Sequence, residues 1–211
     1  MQTRQGVDLQ YEDTYNSNEL VSDLLFPTVV WRKELNYNNT VLKEYVNDLM
    51  KASDGRKISN YGGWQSDPLI GNFPCKFKDL QLLIDKCITE ISNSINFPSM
   101  KLDNLWFNVN TPGTYNIIHN HPGAIISGVY YIDVPEDNMG NIEFYRSDDS
   151  SYYLNGNSET FFGSDRFIYK SITGVLLLFP SWLKHSVQGN LSKQNRISMS
   201  FNYNLELDNE N

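Results

Sequence analysis

The three histidines of this 211-residue chain are the residues best placed to do chemistry: His119-Asn120-His121-Pro122 holds two of them, and His185 follows far downstream. Side chains two apart on an extended strand leave from the same side, so the imidazoles of His119 and His121 can converge on one ion. A third ligand from a distant strand completes one face of a coordination sphere and leaves the opposite positions open to substrate, oxygen or water. His185 is the histidine left to fill that role. It lies beyond an apolar run, Val175-Leu176-Leu177-Leu178-Phe179, and a proline-marked turn, Pro180-Ser181-Trp182, so a rigid strand and turn would hold it. A single histidine in a soluble protein is most often a surface or hydrogen-bonding group. Gathering all of them into one pair and one follower is what points to a metal site.

Arg196 bears on which metal to expect. Arg196-Ile197-Ser198-Met199-Ser200-Phe201-Asn202-Tyr203 alternates polar and apolar residues with the period of a strand, which places Arg196 and Ser198 on one face. A guanidinium with an adjacent hydroxyl suits the far end of a dicarboxylate, because its planar fork matches a carboxylate bidentately and stays charged. Zinc also accepts three imidazoles, but a zinc hydrolase has no use for a buried guanidinium one strand past its last ligand, and this favours iron. A solvated arginine on an edge strand is the alternative for Arg196 taken alone.

The elements that carry these groups divide the chain into a helical first part and a strand-rich second part. Thr40 to Ala52 has Val41, Leu42, Tyr45, Val46 and Leu49 at helical spacing, and Leu80 to Ile95 has Leu82, Leu83, Cys87, Ile88, Ile91 and Ile95. Each helix so predicted has one apolar face to pack against the outside of a sheet. From Leu102 onward the pattern changes to short strands broken by turns, expected at Leu105–Asn110, Tyr115–His119, Ser127–Val134, Asn141–Tyr145, Arg166–Lys170, Val175–Phe179 and Ile197–Leu205. The predicted class is mainly β: a double-stranded β-helix of the jelly-roll or cupin-like kind with supporting N-terminal α-helices. A single domain over residues 1–211 is expected, with about 1–100 as helical support and about 101–205 as the jelly-roll core. Arg146–Asp165 reads as a long polar loop, either a lid over the barrel mouth or plain surface. In Ser59–Ser66 the paired glycines allow close backbone approach, and Trp64 and Gln65 either plug the core or reach into a substrate pocket.

In its motifs the chain resembles the 2-oxoglutarate/Fe(II)-dependent oxygenases, and within them a prolyl-hydroxylase-like family of bacteria and marine phages. The motifs are Ser59-Asn60-Tyr61-Gly62-Gly63-Trp64-Gln65-Ser66, His119-Asn120-His121-Pro122, Ser127-Gly128-Val129-Tyr130-Tyr131-Ile132, Phe179-Pro180-Ser181-Trp182-Leu183-Lys184-His185 and Arg196-Ile197-Ser198-Met199-Ser200-Phe201-Asn202. The resemblance implies that His119, His121 and His185 ligate Fe(II) and that Arg196 pairs with the C5 carboxylate of 2-oxoglutarate. It further implies that Ser198 supports that pair, and that Tyr131 and Asn110 contact the same co-substrate. The implied activity is hydroxylation of a small-molecule or peptidyl substrate, coupled to decarboxylation of 2-oxoglutarate to succinate.

One position departs from the family pattern. The usual motif is HxD…H, and His121 stands where the aspartate would be. Exchanging a carboxylate for a neutral imidazole raises the net charge of the metal site by about one unit. Three-histidine iron sites belong to cupin-type dioxygenases that use no 2-oxoglutarate, so that chemistry stays open, as does a noncatalytic jelly-roll binding module. Asp133 and Glu143 are the carboxylates that could instead be recruited to the metal.

Composition bounds the partners. A formal charge of -8 and a pI near 4.8 disfavour nonspecific binding to nucleic acid or anionic membranes, both of which need a positive field. No apolar run is long enough to span a bilayer and no secretory leader is evident, so a cytoplasmic location is expected, that of the host if the chain is phage-encoded. A homodimer is an expectation that follows from the exposed edges of a jelly roll. Cys75 and Cys87 are read as buried free thiols rather than a disulfide.

Overall fold

The computed structural model describes residues 27–148 and 164–206. Most of the expected loop Arg146–Asp165 therefore lies outside the described residues. In chain order the elements are β1 (Trp31–Glu34), α1 (Thr40–Ala52), β2 (Asn60–Tyr61), β3 (Trp64–Gln65), β4 (Leu69–Ile70), α2 (Lys78–Ser94), β5 (Met100–Asn110) and β6 (Tyr115–His119). There follow β7 (Ile126–Asp133), β8 (Ile142–Tyr145), β9 (Arg166–Tyr169), β10 (Val175–Pro180), β11 (His185–Val187) and β12 (Arg196–Leu205).

These strands form two antiparallel sheets. The larger runs β1-β10-β7-β12-β5-β3, with β4 also paired to β5, and the smaller runs β2-β6-β11-β8-β9. The alternation that marks a strand in sequence sorts the larger sheet into two faces. On one, Leu105, Phe107, Val109, Tyr130, Ile132, Leu176, Leu178, Met199, Phe201 and Tyr203 form a core with Leu42 and Val46 of α1 and Leu80, Ile84, Ile88 and Ile91 of α2. The helices thus cover the outside of the larger sheet. On the other face, Val129, Tyr131, Leu177 and Phe179 meet Ile142 and Phe144 of the smaller sheet and Leu183 of the turn after β10, in a second cluster between the sheets. This is the layout of a jelly roll.

The first hundred residues contribute more than support. Beside the two helices they supply β1, which closes one edge of the larger sheet against β10, and β2, which extends the smaller sheet from β6. These strands are two to four residues long, too short to show a period in the sequence. Cys87 is buried on α2 as expected, but Cys75 is exposed. It opens a single helical turn ahead of α2 in which Phe77 takes the buried position. Among the described residues no helix is long and apolar enough to cross a membrane.

Gly62 and Gly63 make the turn between β2 and β3 at φ +68° and +64°. That backbone favours glycine, and a Cβ on Gly63 would lie 2.8 Å from the carbonyl oxygen of Val109. Gly63→Ala is therefore expected to cost about 1–3 kcal/mol, seen as a melting midpoint lower by about 2–4 °C per kcal/mol. An unchanged midpoint would show that this turn is not held by its contact with β5.

Candidate metal centre

His119 is the last residue of β6 and His185 the first of β11, and the two stand opposite each other in the β6–β11 pair. His121 lies two residues beyond β6, in a turn anchored by its own backbone N–H, which donates to the Ser181 carbonyl at 2.9 Å. The ring centroids are 4.3 Å apart for His119 and His185, 5.0 Å for His121 and His185, and 5.3 Å for His119 and His121. One nitrogen from each ring lies within 4.8 Å of the other two, and among the described residues no cysteine or carboxylate joins the group. Phe179 stands against His185 and Trp106 against His121, with centroids at 4.8 and 5.4 Å. The triad thus sits in an aromatic wall.

Hydrogen bonds choose which nitrogen each ring presents. His119 Nδ1 lies 2.8 Å from the Ile117 carbonyl and His185 Nδ1 lies 2.9 Å from the Leu183 carbonyl. A carbonyl only accepts, so both Nδ1 atoms carry the proton. His121 Nδ1 is 2.8 Å from the amide oxygen of Asn202, which accepts in the same way. Each ring is left with an unprotonated Nε2, and this partnering of the distal nitrogen is what ligating histidines show. Burial reinforces it by disfavouring imidazolium. The pKa of His185 falls to about 3, helped by the two neighbouring rings, that of His121 to about 4, and that of His119 below its ordinary value. Three neutral donors converging on one point fit a divalent metal ion.

Arg196 opens β12 on the same cleft, 2% exposed. Its Nη1 donates to the Gly140 carbonyl at 3.1 Å and its Nη2 to Asn110 Oδ1 at 2.8 Å, while its buried Nε has no partner. No acidic side chain among the described residues pairs with it. Burial presses its pKa below the ordinary value, and only the Tyr131 hydroxyl offsets this. A fully buried cation without a counter-charge is costly, so the cleft favours an anion. The free space within it is about 40 Å³, enough for a few water molecules.

The structure gathers His119, His121, His185, Tyr131, Arg196 and Ser198 around this one cleft. Asn110 has a different place from the one expected. It does not line the cleft but accepts from Arg196 and donates to Asn116 at 3.0 Å, so it holds the arginine from behind. Trp64 is 6% exposed in the core beside the helices, its indole N–H donating to the Ser53 carbonyl at 2.8 Å, and does not reach the cleft. Its partner across β3–β5 is Val109, on the helix-facing side, which is why it turns away. Gln65 pairs with Asn108 and shares the cleft-facing side, but it too is buried outside the lining. Neither candidate carboxylate approaches the metal ligands. Asp133 lies 2.7 Å from Lys43. Glu143 accepts from Gln188, Tyr145 and Ser186.

Residues that the motifs did not single out complete the floor. Ser200 and Trp106 stand opposite each other in the β12–β5 pair, as do Ser198 and Asn108, and Asn108 Nδ2 donates to Ser200 Oγ at 3.1 Å. The available signal was a row of polar residues at period two, Asn104, Asn108 and Asn110 with Ser198, Ser200 and Asn202, alternating with the apolar Leu105, Phe107, Val109, Ile197, Met199 and Phe201.

Comparisons with known proteins place this geometry. No curated protein of known function matches the chain by sequence. Among solved structures, a Pseudomonas putida prolyl-4-hydroxylase superposes with a TM-score of 0.60 at 11% identity, covering 85% of this chain and 94% of that one. A Trichoplax adhaerens prolyl hydroxylase, in complex with a hypoxia inducible factor peptide fragment, gives 0.62 at 16% identity with 84% of each chain covered. HygX from Streptomyces hygroscopicus, with nickel and 2-oxoglutarate bound, gives 0.58 at 11% identity over 85% of this chain and 84% of that one. At these identities the likeness is one of fold. A match by sequence spans residues 104–202, the stretch that carries all three histidines, Tyr131, Arg196 and Ser198, to the family described as "Putative 2OG-Fe(II) oxygenase". Over that stretch, a little under half of the chain, the sequence is similar to the Fe(II)- and 2-oxoglutarate-dependent oxygenases.

Proposed function

We propose that the chain is a hydroxylase in which His119, His121 and His185 hold Fe(II) and Arg196, with Ser198 and Tyr131, binds the C5 carboxylate of 2-oxoglutarate. The observation that carries this reading is the buried, counter-ion-free guanidinium of Arg196 in the same cleft as three converging neutral imidazoles. A dianion that chelates the metal through one end and meets Arg196 with the other supplies the missing charge. The iron and co-substrate supply the oxidative chemistry, coupling decarboxylation to succinate with hydroxylation of a small-molecule or peptidyl substrate. The protein's own residues bind and orient. Asn110 and the Gly140 carbonyl aim the guanidinium, the backbone carbonyls of Ile117 and Leu183 fix two imidazoles, and the aromatic rings of Trp106, Phe144 and Phe179 keep water from the inner wall.

Anaerobic titration of the Fe(II)-loaded protein with 2-oxoglutarate tests the reading. A saturable metal-to-ligand charge-transfer band is expected as the keto acid chelates iron. The all-imidazole donor set favours one competing reading, a three-histidine dioxygenase that needs no 2-oxoglutarate. Stoichiometric iron with no such band would replace the first reading by the second.

A further inference from the structure

His121 occupies the position where the family pattern has a carboxylate, and its hydrogen bonds lead back to a carboxylate by another route. Its Nδ1 lies 2.8 Å from Asn202 Oδ1. Asn202 Nδ2 donates to Asn104 Oδ1 at 3.0 Å, and Asn104 Nδ2 donates to Asp103 Oδ2 at 2.8 Å. The two asparagines are opposite partners in the β12–β5 pair, so the chain of bonds crosses from strand to strand on the cleft side.

We propose that Asp103, Asn104 and Asn202 form a directed relay that fixes the tautomer of His121, making Asn202 a positioning residue for the metal ligand. The direction follows from donor and acceptor capacity alone. An ionised carboxylate only accepts, so Asn104 must turn its NH2 to Asp103 and its oxygen to Asn202. Asn202 then turns its own NH2 to Asn104 and its oxygen to His121. That oxygen accepts, so the proton of His121 sits on Nδ1 and the lone pair is left on Nε2. Ser127 Oγ also lies 2.8 Å from His121 Nδ1, but a hydroxyl donates as readily as it accepts and imposes no tautomer. In the structure it donates to Asn202 Oδ1 at 2.7 Å, bracing the amide against β7. His119 and His185 are fixed by backbone carbonyls within their own strands or turns. His121, past the end of β6, has no such carbonyl, and the relay replaces it.

The inference rests on the metal-site reading above, but its first readout does not. In metal-free protein with 15N-labelled histidine, long-range 1H–15N spectra are expected to show His121 protonated at Nδ1. In Asn202→Ala the Nδ1–H population falls, and the Co(II) dissociation constant rises by about 10–100-fold. Asn202→Asp keeps an acceptor in place and restores both readouts towards wild type. Should Asn202→Ala fail to fold, Asn104→Leu is expected to shift both readouts in the same direction by releasing the Asn202 amide to flip. An Nε2-protonated His121 in the wild type overturns the relay, as do folded variants with wild-type tautomer and Co(II) affinity. Wild-type protein that binds no Co(II) overturns the metal-site reading itself, a result distinct from the previous two.

Discussion

Arg196→Met is expected to abolish tight 2-oxoglutarate binding while leaving metal affinity and the folded state nearly unchanged. Losing one side of a buried, hydrogen-bonded charge pair costs about 2–5 kcal/mol, a rise in the 2-oxoglutarate dissociation constant of roughly 30-fold to several thousand-fold. Stability should behave differently, because this guanidinium is buried with an unpartnered Nε and, among the described residues, no acidic partner. Replacing an uncompensated buried charge by an apolar side chain of similar length relieves desolvation. The change does remove a donor from Asn110 Oδ1, an orphan worth about 1–3 kcal/mol, whereas the Gly140 carbonyl keeps its bond from Ser171 Oγ at 3.0 Å. The two effects oppose, so the melting midpoint of the metal-free protein should move little. The midpoint increase that 2-oxoglutarate gives the Fe(II)-loaded wild type should vanish. Unchanged 2-oxoglutarate affinity in a folded variant would remove Arg196 from the site. A large loss of stability would make it a structural arginine.

The sequence made the histidine cluster legible because chemistry and rarity coincide: three histidines, two of them a strand period apart. It made α1 legible to the residue, Thr40–Ala52, because its apolar positions keep helical spacing without a break. It could not show β11, which spans His185–Val187 and is defined by its neighbours β6 and β8, not by any pattern of its own. The same limit explains Asn110 and Trp64. Their sides of the sheet are readable from alternation, but their contacts depend on register. Arg196 falls opposite Asn110 across 86 residues, and Trp64 opposite Val109. A shift of one residue in either pairing would turn these side chains to the other face. The relay through Asn104 and Asn202 was hidden for this reason too, since both asparagines read as ordinary polar positions until β5 and β12 are paired.

His185→Ala is the second large effect, and its argument turns on what the other two histidines can do alone. His119 and His121 belong to one short segment, whereas His185 comes from β11 and is the most buried of the three, 4% exposed. Apparent binding energies of four-ligand structural zinc sites are about 10–16 kcal/mol, so one ligand is worth on the order of 3 kcal/mol, or about a hundredfold in affinity. Deleting this imidazole also leaves a void beside Phe144 and Phe179, whose ring centroids lie 5.9 and 4.8 Å away, and stability falls for that reason as well. His185→Gln separates the two effects. Glutamine fills most of the space and can still donate to the Leu183 carbonyl that now takes the Nδ1 proton, but it does not place an imidazole lone pair at the metal. Metal titration followed by equilibrium dialysis should therefore show both variants deficient in tight metal binding, with His185→Gln the more stable. Stoichiometric, tightly held metal in a folded His185→Gln protein would mean that the third ligand comes from elsewhere, and the all-histidine face would have to be redrawn.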